Sequence, residues 1–287
     1  MTCSPMRDDV IGFVARWQGC SVAEAVQWLE HETSEGFVAV PRQIARMETP
    51  PVALADRDVT YRSLLRQWGL APRHRTALQI RGLTDQAIRR AGFASAVPGL
   101  APVTPATAAV PGFVRKATRW YVAGPAGLAI PVRAVNGQIQ AIHIRVDDVS
   151  RGKYRWLSTP SQVGGAASGA PVHVARGVDD VVWITEGPLK AIVAQETLGH
   201  TVLGVPGAGA WTPVLDILRI IRPQRVILAF DRDPDPRTAE KVALHGSRLT
   251  TALTAAGWHC MTASWEGPKG LDDALVARVA INVRSSL

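Results

Sequence analysis

The runs VVWIT (Val181–Thr185), RVILAF (Arg225–Phe230) and KGLDD (Lys269–Asp273) decide the fold of this 287-residue chain. The first two runs are apolar and rich in β-branched residues, which predicts buried strands. Each is followed at once by a carboxylate, Glu186 after the first and Asp231 after the second. In an open parallel sheet, residues just past the carboxyl ends of strands point into one shared crevice. We therefore expect these carboxylates to converge.

Converging carboxylates point to a particular chemistry. They repel each other unless a cation neutralises them, and hard oxygen ligands that hold Mg²⁺ leave room for phosphate oxygens. This predicts phosphoryl transfer assisted by one or two metal ions. An ordinary polar turn would also explain Asp231-Arg232-Asp233 taken alone. The motifs Glu-Gly, Asp-x-Asp and Lys-Gly-x-Asp-Asp each follow a strand in this order, which favours the metal site.

The segment around these motifs alternates strands with helices, which predicts a parallel sheet with right-handed crossovers. The further strands are expected at Thr201–Val205 and Trp258–Ser264. The helices are expected at Pro188–Leu198, at Thr212–Ile221, from the acidic loop to about Ala255, and after Asp273.

A Glu-Gly after the first strand and an Asp-x-Asp after a later one resemble the Toprim domain. That fold is shared by bacterial-type (DnaG-type) primases, type IA and type II topoisomerases and certain nucleases. The resemblance implies that Glu186, Asp231 and Asp233 are catalytic and bind Mg²⁺ or Mn²⁺. It implies further metal ligands at Asp235, Asp272 and Asp273.

Two positions depart from the primase pattern. Primases usually carry an Asp four residues after the Glu, where this chain has Lys190. They also usually continue Asp-x-Asp with a small Ala-Gly turn, where this chain has Pro234-Asp235-Pro236. The Glu-Gly-Pro-Leu-Lys run is similar to Toprim-like domains of phage and mobile-element replication proteins. The first departure removes one outer carboxylate, and the second makes Asp235 a substitute ligand.

The middle of the chain resembles the amino-terminal subdomain of primases, which Toprim nucleases and topoisomerases lack. LQIRGLTDQAI (Leu78–Ile88) resembles the segment that opens the primase core, and KYRWLS (Lys153–Ser158) lies where the family has Lys-Tyr-Leu-Asn-Ser. Basic and aromatic residues in alternation suit phosphate neutralisation and base stacking. The alternative is a strand that buries Tyr154 and Trp156 on one face. The residues implied to bind nucleic acid or nucleotide are Arg145, Lys153, Arg155, Lys190 and Lys269.

The predicted organisation has four parts. Residues 1–34 form a helical hairpin, in which Ser21 and Glu24 make a capping box. The hairpin resembles the segment after the zinc ribbon of primases, and because only Cys3 could remain of that ribbon we expect no structural zinc. Residues 35–58 form a linker, 59–178 a basic α+β subdomain, and 179–287 the Toprim domain. Within the subdomain, Thr60 is expected to cap a helix, and Asn136-Gly137 to form a type I′ turn between two strands.

Composition favours a polyanionic partner. The formal charge is +8 and the pI about 10.0, and residues 42–90 contain ten arginines, no lysine and only four acidic residues. A solvated basic surface is the alternative. No apolar run approaches the ~18 residues that cross a bilayer, and no signal peptide is evident. We therefore expect a cytoplasmic protein with no membrane partner.

The preferred function is a DNA primase-like nucleotidyltransferase that makes short primers by metal-dependent phosphoryl transfer. Its expected partners are a single-stranded DNA template, nucleoside triphosphates and a replicative helicase or another replication protein. A Toprim-family nuclease and a non-catalytic nucleic-acid-binding replication accessory of a mobile element are the alternatives. No Walker-type motif is present, so the chain does not supply an ATP-driven motor.

Overall fold

The computed structural model describes residues 10–34, 52–99, 109–117, 119–162 and 165–285. The chain divides into two compact units, residues 1–48 and residues 49–287. Cys3 and residues 35–51 of the predicted linker lie outside the described residues.

The helices are α1 (Val10–Gln18), α2 (Val22–Ser34), α3 (Leu54–Trp68), α4 (Pro72–Ile80), α5 (Asp85–Ala91), α6 (Pro188–Leu198), α7 (Thr212–Ile221), α8 (Pro236–Ala255) and α9 (Leu271–Val276). The strands are β1 (Ala94–Ala96), β2 (Phe113–Lys116), β3 (Arg119–Val122), β4 (Gly127–Arg133), β5 (Ile139–Val146), β6 (Tyr154–Trp156), β7 (His173–Ala175), β8 (Val178–Glu186), β9 (His200–Val205), β10 (Arg225–Leu228), β11 (His259–Ser264) and β12 (Asn282–Ser285).

The first unit contains the hairpin of α1 and α2, as predicted. Val14 and Ala25 are buried between the two helices. The capping box is formed: the backbone N–H of Ser21 donates to the Glu24 carboxylate at 2.8 Å, and the backbone N–H of Glu24 donates to Ser21 Oγ at 3.3 Å. These two bonds satisfy N–H groups that the first turn of α2 would otherwise leave unpaired.

An antiparallel sheet with the strand order β1-β4-β5-β6 organises the first half of the second unit, and we call it the amino-terminal sheet. Helix α3 covers one of its faces, where Tyr61 and Leu64 pack against Ile142 and Ile144. The short ribbon of β2 and β3 adds Phe113 to the same core. This half is therefore the mixed α+β region that the sequence predicts.

Two local predictions in this half are wrong. Thr60 does not cap a helix, because α3 starts at Leu54 and Thr60 lies buried in its middle, where its hydroxyl donates to the carbonyl of Asp56 at 2.8 Å. The β4–β5 hairpin forms, but without a type I′ turn. Only Gly137 of its turn has a positive φ, 79°, and its N–H donates to the carbonyl of Ala134 at 2.9 Å.

The second half is built on a six-stranded sheet in the order β12-β11-β10-β8-β9-β7, which we call the carboxyl-terminal sheet. Its four central strands, β8 to β11, are parallel, as predicted. The edge strands β7 and β12 are antiparallel and were not predicted. Helices α7 and α8 bury their apolar residues on one face, and α6 and α9 do so on the other. The chain thus has the expected α/β class.

Helix α6 joins the two halves of the second unit. Leu189, Ile192 and Val193 of this helix pack against Leu78, Ile88 and Ile130 from α4, α5 and β4. This shared core fixes the basic residues of the amino-terminal sheet relative to the carboxyl ends of the parallel strands. No helix in the described part of the chain is long and apolar enough to span a membrane.

Candidate active site

Glu186 and Asp231 meet at the carboxyl end of the carboxyl-terminal sheet. Glu186 is the last residue of β8, and the neighbouring parallel strand β10 ends three residues before Asp231. The backbone N–H of Asp231 lies 3.4 Å from Glu186 Oε1. Gly187 then turns the chain into α6 with a φ of 83°, a value that favours glycine. The predicted convergence of these two carboxylates is present.

The negative charges of Glu186 and Asp231 repel each other. Burial raises the pKa of Glu186, and the negative charge of Asp231 raises it further. Backbone N–H groups of Asp231 and Ala208 and the charge of Lys190 offset only part of this. Asp231 Oδ1 is buried and has no hydrogen-bond partner in the part of the chain that the structure describes. This pair therefore offers buried oxygen atoms that a cation would stabilise.

Lys190 supplies a cation from the protein itself. Its ammonium donates to Oδ2 of Asp231, and the two side chains are only 24% and 12% exposed. Lys190 lies in the first turn of α6, where the helix dipole disfavours a positive charge. The ion pair with Asp231 offsets that cost. Lys190 thus occupies Oδ2 of Asp231, and Oδ1 remains available to a bound cation.

The remaining residues of the Asp-x-Asp loop are engaged by other contacts. Asp233 accepts a hydrogen bond from the ammonium of Lys269, which holds its pKa below the ordinary value, and it also accepts one from the backbone N–H of Asp235. The Asp235 carboxylate caps α8 by accepting from the N–H of Thr238 at 2.9 Å. The structure therefore shows Asp235 in a local capping role.

Asp272 and Asp273 begin α9 on the other side of Lys190. Asp272 is 1% exposed, and its Oδ2 accepts a hydrogen bond from Arg81 at 2.7 Å. Burial and the neighbouring charge of Asp273 raise the pKa of Asp272, whose Oδ1 has no hydrogen-bond partner among the residues described. Gly270 permits this packing: a Cβ atom there would lie 2.6 Å from Asp272 Oδ1 and 3.2 Å from Lys190 Nζ. Asp273 is more exposed and lies 3.9 Å from Arg81.

Positive charges from the amino-terminal sheet face this acidic cluster of Glu186, Asp231, Asp233, Asp272 and Asp273. Burial and the nearby charges of Arg145, Arg81 and Lys190 lower the pKa of Lys153. We call Arg81, Arg145, Lys153 and Lys190 the basic group. Its members repel one another, so a polyanion bound among them would be stabilised.

Arg155 lies apart from the basic group. It lines a different cleft, together with Pro125, Asp147 and Asp148. The alternation of side chains along β6 separates Arg155 from Tyr154 and Trp156, which lie on the other face of the strand. The structure therefore brings together four of the five residues predicted to bind nucleic acid, namely Arg145, Lys153, Lys190 and Lys269, around the acidic cluster.

The aromatic residues of β6 form a stack on the amino-terminal sheet. His143 stacks on Tyr154 with ring centroids 5.1 Å apart and on Trp156 at 4.4 Å. Burial lowers the pKa of His143 to about 4, so the ring is neutral. Tyr154 also packs against the core that α6 shares with α4 and α5. Its aromatic surface is therefore largely used for packing, which matches the alternative of a buried aromatic face.

Arg81 was assigned no chemical role from the sequence. It closes α4 and reaches Asp272, 191 positions later in the chain. Together with Arg145, Asp272 and Asp273 it lines a cleft of about 410 Å³. A second cleft, of about 630 Å³, lies beside Asp231 and Asp233 under α8. Clefts thus flank the acidic cluster on two sides, one beside Asp272 and Asp273 and the other beside Asp231 and Asp233.

The residues present fit a divalent cation at one position. Among the described residues, Asp231 Oδ1 has no hydrogen-bond partner, and a cation bound there would be coordinated by it. The same cation would stabilise the charged form of Glu186, whose pKa is raised by burial and by Asp231. Among the described residues, however, no group of three or more His, Cys, Asp or Glu side chains is arranged to hold a metal ion. Lys190 and Lys269 take oxygen atoms of Asp231 and Asp233 that a second cation would use. That all six carboxylates predicted from the sequence bind metal therefore remains a prediction.

The fold is that of primase catalytic cores. The chain is similar to the zinc-binding and RNA polymerase domains of the Aquifex aeolicus primase (14% identity, TM-score 0.55), with 96% of this chain and 71% of that chain covered. It is also similar to the DnaG primase catalytic domain bound to ssDNA (18%, TM-score 0.57, 78% and 75% covered). A third similar structure is the RNA polymerase domain of Mycobacterium tuberculosis primase DnaG in complex with double-stranded DNA (17%, TM-score 0.57, 79% and 80% covered).

Sequence comparison adds one match. Residues 174–281 match the family described as a domain of unknown function (DUF3854). This segment contains Glu186, Asp231 and Lys269 and includes residues of five of the six strands of the carboxyl-terminal sheet, all except β12. No curated protein matches the sequence.

Proposed function

We propose that the chain is a primase-like nucleotidyltransferase that makes short primers on single-stranded DNA from nucleoside triphosphates. One observation carries the proposal: the basic group lies against the acidic cluster, with Lys190 on Asp231 and Arg81 on Asp272. Carboxylates that bind a cation beside fixed positive charges form a site suited to a triphosphate and a nucleic acid strand. The primase-core fold supports this choice over other phosphoryl transfers.

Each residue of the site has a distinct role in this proposal. Glu186 and Asp231 would hold Mg²⁺ or Mn²⁺, which lowers the pKa of an attacking hydroxyl and stabilises a pyrophosphate leaving group. Arg145 and Lys153 would hold template or triphosphate oxygens. Arg81 keeps Asp272 in place at the edge of the site.

A second candidate function rests on Lys190. Because its ammonium already neutralises Asp231, the acidic cluster is partly satisfied without metal. This favours a nucleic-acid-binding replication accessory that has no catalytic activity. The same carboxylates in a nuclease would activate water instead of a hydroxyl.

One assay separates these functions. The chain is incubated with single-stranded DNA, labelled ribonucleotides and Mg²⁺ or Mn²⁺, beside Asp231→Asn and a matched control, Asp216→Asn, on the exposed side of α7. Short products that disappear in Asp231→Asn and persist in Asp216→Asn support the proposal. Template cleavage without nucleotides indicates a nuclease. If the chain binds single-stranded DNA in a salt-sensitive way but gives neither primers nor cleaved template, the catalytic proposals are overturned and the nucleic-acid-binding accessory is supported.

A further inference from the structure

A separate cleft of about 260 Å³ lies where the end of β4, α5, β7 and the second half of α6 meet. None of its lining residues belongs to the acidic cluster or to the basic group. Its charged lining residues are three arginines, Arg90, Arg133 and Arg176, and one glutamate, Glu196, so their formal net charge is +2. We call it the arginine cleft.

His173 gives this cleft an unused hydrogen-bond donor. The side chain is 2% exposed, and its Nδ1 accepts a hydrogen bond from the backbone N–H of Arg133 at 3.0 Å. Burial and the charge of Arg133 lower the pKa of His173 to about 3, so the ring is neutral. Because Nδ1 is an acceptor, the ring proton is on Nε2. Nε2 is buried and has no partner among the described residues.

Arg133 places a partly buried positive charge beside this donor. Its two terminal nitrogen atoms donate to the carbonyls of Gly137 and Ala91, both at 3.0 Å, and each of them carries a second N–H. Within the described ranges, no carboxylate lies at ion-pair distance from Arg133. Burial, followed by repulsion from Arg62, lowers the pKa of Arg133, while Asp58 opposes this shift.

The other charged groups around the cleft are paired at its rim. Arg90 donates to both carboxylate oxygens of Glu196 at 2.6 Å. Arg176 pairs with Asp179, and Arg62 pairs with Asp58 at 2.8 Å. The arginines of these pairs are partly exposed, whereas the Nε2–H of His173 is buried and has no partner among the described residues.

We infer that the arginine cleft binds a terminal phosphate group of a small molecule. The donors that line it are the His173 ring and the guanidinium groups, and positive charge is in excess even when Glu196 and the nearby Asp179 are counted. The phosphate must enter the cleft to reach His173, which suits the end of a small molecule better than the monoanionic diester of a nucleic acid backbone. This site does not depend on the activity of the acidic cluster.

The test follows the Nε2–H resonance of His173 in the full chain labelled with ¹⁵N-histidine. Inorganic phosphate is titrated at constant ionic strength against chloride, and adenosine monophosphate is the monoester probe. The expected result is a saturable downfield proton shift of this resonance, with slower exchange with water, for both probes.

A matched pair of variants tests the contribution of the rim. Arg176→Gln and Arg219→Gln each remove an arginine that pairs with an aspartate three residues away, and the two arginines are 43% and 63% exposed. Only Arg176 lines the cleft. Arg176→Gln should weaken phosphate binding about threefold or more, because it removes a charge-assisted donor, and Arg219→Gln should leave it unchanged.

Three results would overturn the inference. An unmoved His173 resonance that exchanges rapidly with solvent would show that a buried water molecule satisfies the donor. Equal weakening in the two arginine variants would show non-specific attraction. A shift caused by a single-stranded oligonucleotide without a terminal phosphate, but not by adenosine monophosphate, would assign the cleft to the nucleic acid backbone.

Discussion

Lys190 in the first turn of α6 donates a hydrogen bond to Oδ2 of Asp231, while Oδ1 of the same carboxylate is buried and finds no partner within the described ranges. A protein cation therefore lies inside the group of carboxylates that the sequence predicts to bind metal. It satisfies half of Asp231 and leaves Glu186 with a raised pKa. The metal chemistry of this site is set by competition between Lys190 and a divalent cation.

Lys190→Met should tighten the binding of Mn²⁺ to the free protein. Methionine has a similar length without the charge, so the change frees Asp231 Oδ2 and removes a repulsive ammonium. One charge removed at a few ångströms corresponds to roughly tenfold or more in affinity at the effective dielectric of a protein surface. Electron paramagnetic resonance of Mn²⁺ in a titration measures this without any substrate.

Lys269→Met is the control for that change. Lys269 pairs with Asp233 but is half-exposed, so solvent screens its charge and its removal should have a smaller effect. Equal affinities of Lys190→Met and the unaltered chain for Mn²⁺ would show that Lys190 does not compete with metal. The Mn²⁺ affinity can be measured whether or not the protein makes primers.

Asp231→Asn should abolish metal-dependent activity and leave the fold intact. The amide has the same shape, it removes repulsion on Glu186, and it keeps an oxygen atom that can accept from Lys190. Loss of the ion pair with Lys190 opposes the relief of repulsion on Glu186, so we expect the free energy of unfolding to fall by no more than about 3 kcal/mol. Primer synthesis and urea unfolding measure the two effects. Wild-type activity in this variant would refute the site assignment.

Lys153→Glu and Arg155→Glu should differ in their effect on nucleic acid binding. Lys153 belongs to the basic group, whereas Arg155 lines another cleft beside Asp147 and Asp148. Reversal of Lys153 should weaken single-stranded DNA binding for all sequences and reduce the salt slope by about 0.7 or more, the contribution of one phosphate contact. Arg155→Glu should change both quantities less.

Salt-dependent binding measured by fluorescence anisotropy gives both slopes. Each variant carries the same change of charge, so the overall field of the protein is matched. Equal slopes for the two variants, or a larger loss in Arg155→Glu, would place the nucleic acid away from the acidic cluster.

The features predicted most accurately are those that depend on residues close together in the sequence. The four parallel strands and their helices follow from apolar runs, and Glu186 and Asp231 follow from the rule that such strands end at one edge. The two antiparallel edge strands were missed because β7 and β12 are only three and four residues long and pair with distant strands. Nothing in their own residues specifies that pairing.

Predictions failed where distant residues decide the outcome. Thr60 has the residue type of a helix cap, but packing of α3 against the amino-terminal sheet extends the helix to Leu54. Arg81 reaches Asp272 because α6 packs against both α4 and α9. The ion pairs of Lys190 and Lys269 likewise join residues that are 41 and 36 positions apart. The sequence indicated the carboxylates, and only the fold shows which of their oxygen atoms are free.

Glu186→Gln should stabilise the protein at neutral pH. The pKa of Glu186 is raised in the folded state by burial and by Asp231, so folding takes up protons at this group between its ordinary pKa, about 4.3, and its raised value. Its contribution to the free energy of unfolding therefore falls as pH rises through that window, and the loss is complete above the raised pKa. Glutamine carries no charge and avoids the loss. The gain in stability should be largest at pH 7 and should vanish below about pH 4.

Asp233→Asn should show the opposite sign and serves as the control. Lys269 and the backbone N–H of Asp235 lower the pKa of Asp233, so its charged form contributes stability at neutral pH that is lost as pH falls through the lowered pKa. Urea unfolding between pH 4 and pH 8, in buffers free of divalent cations, measures both variants. If Glu186→Gln destabilised the protein at pH 7 as Asp233→Asn does, the Glu186 carboxylate would have to be stabilised by contacts other than a cation, and its assignment as a metal ligand would fail.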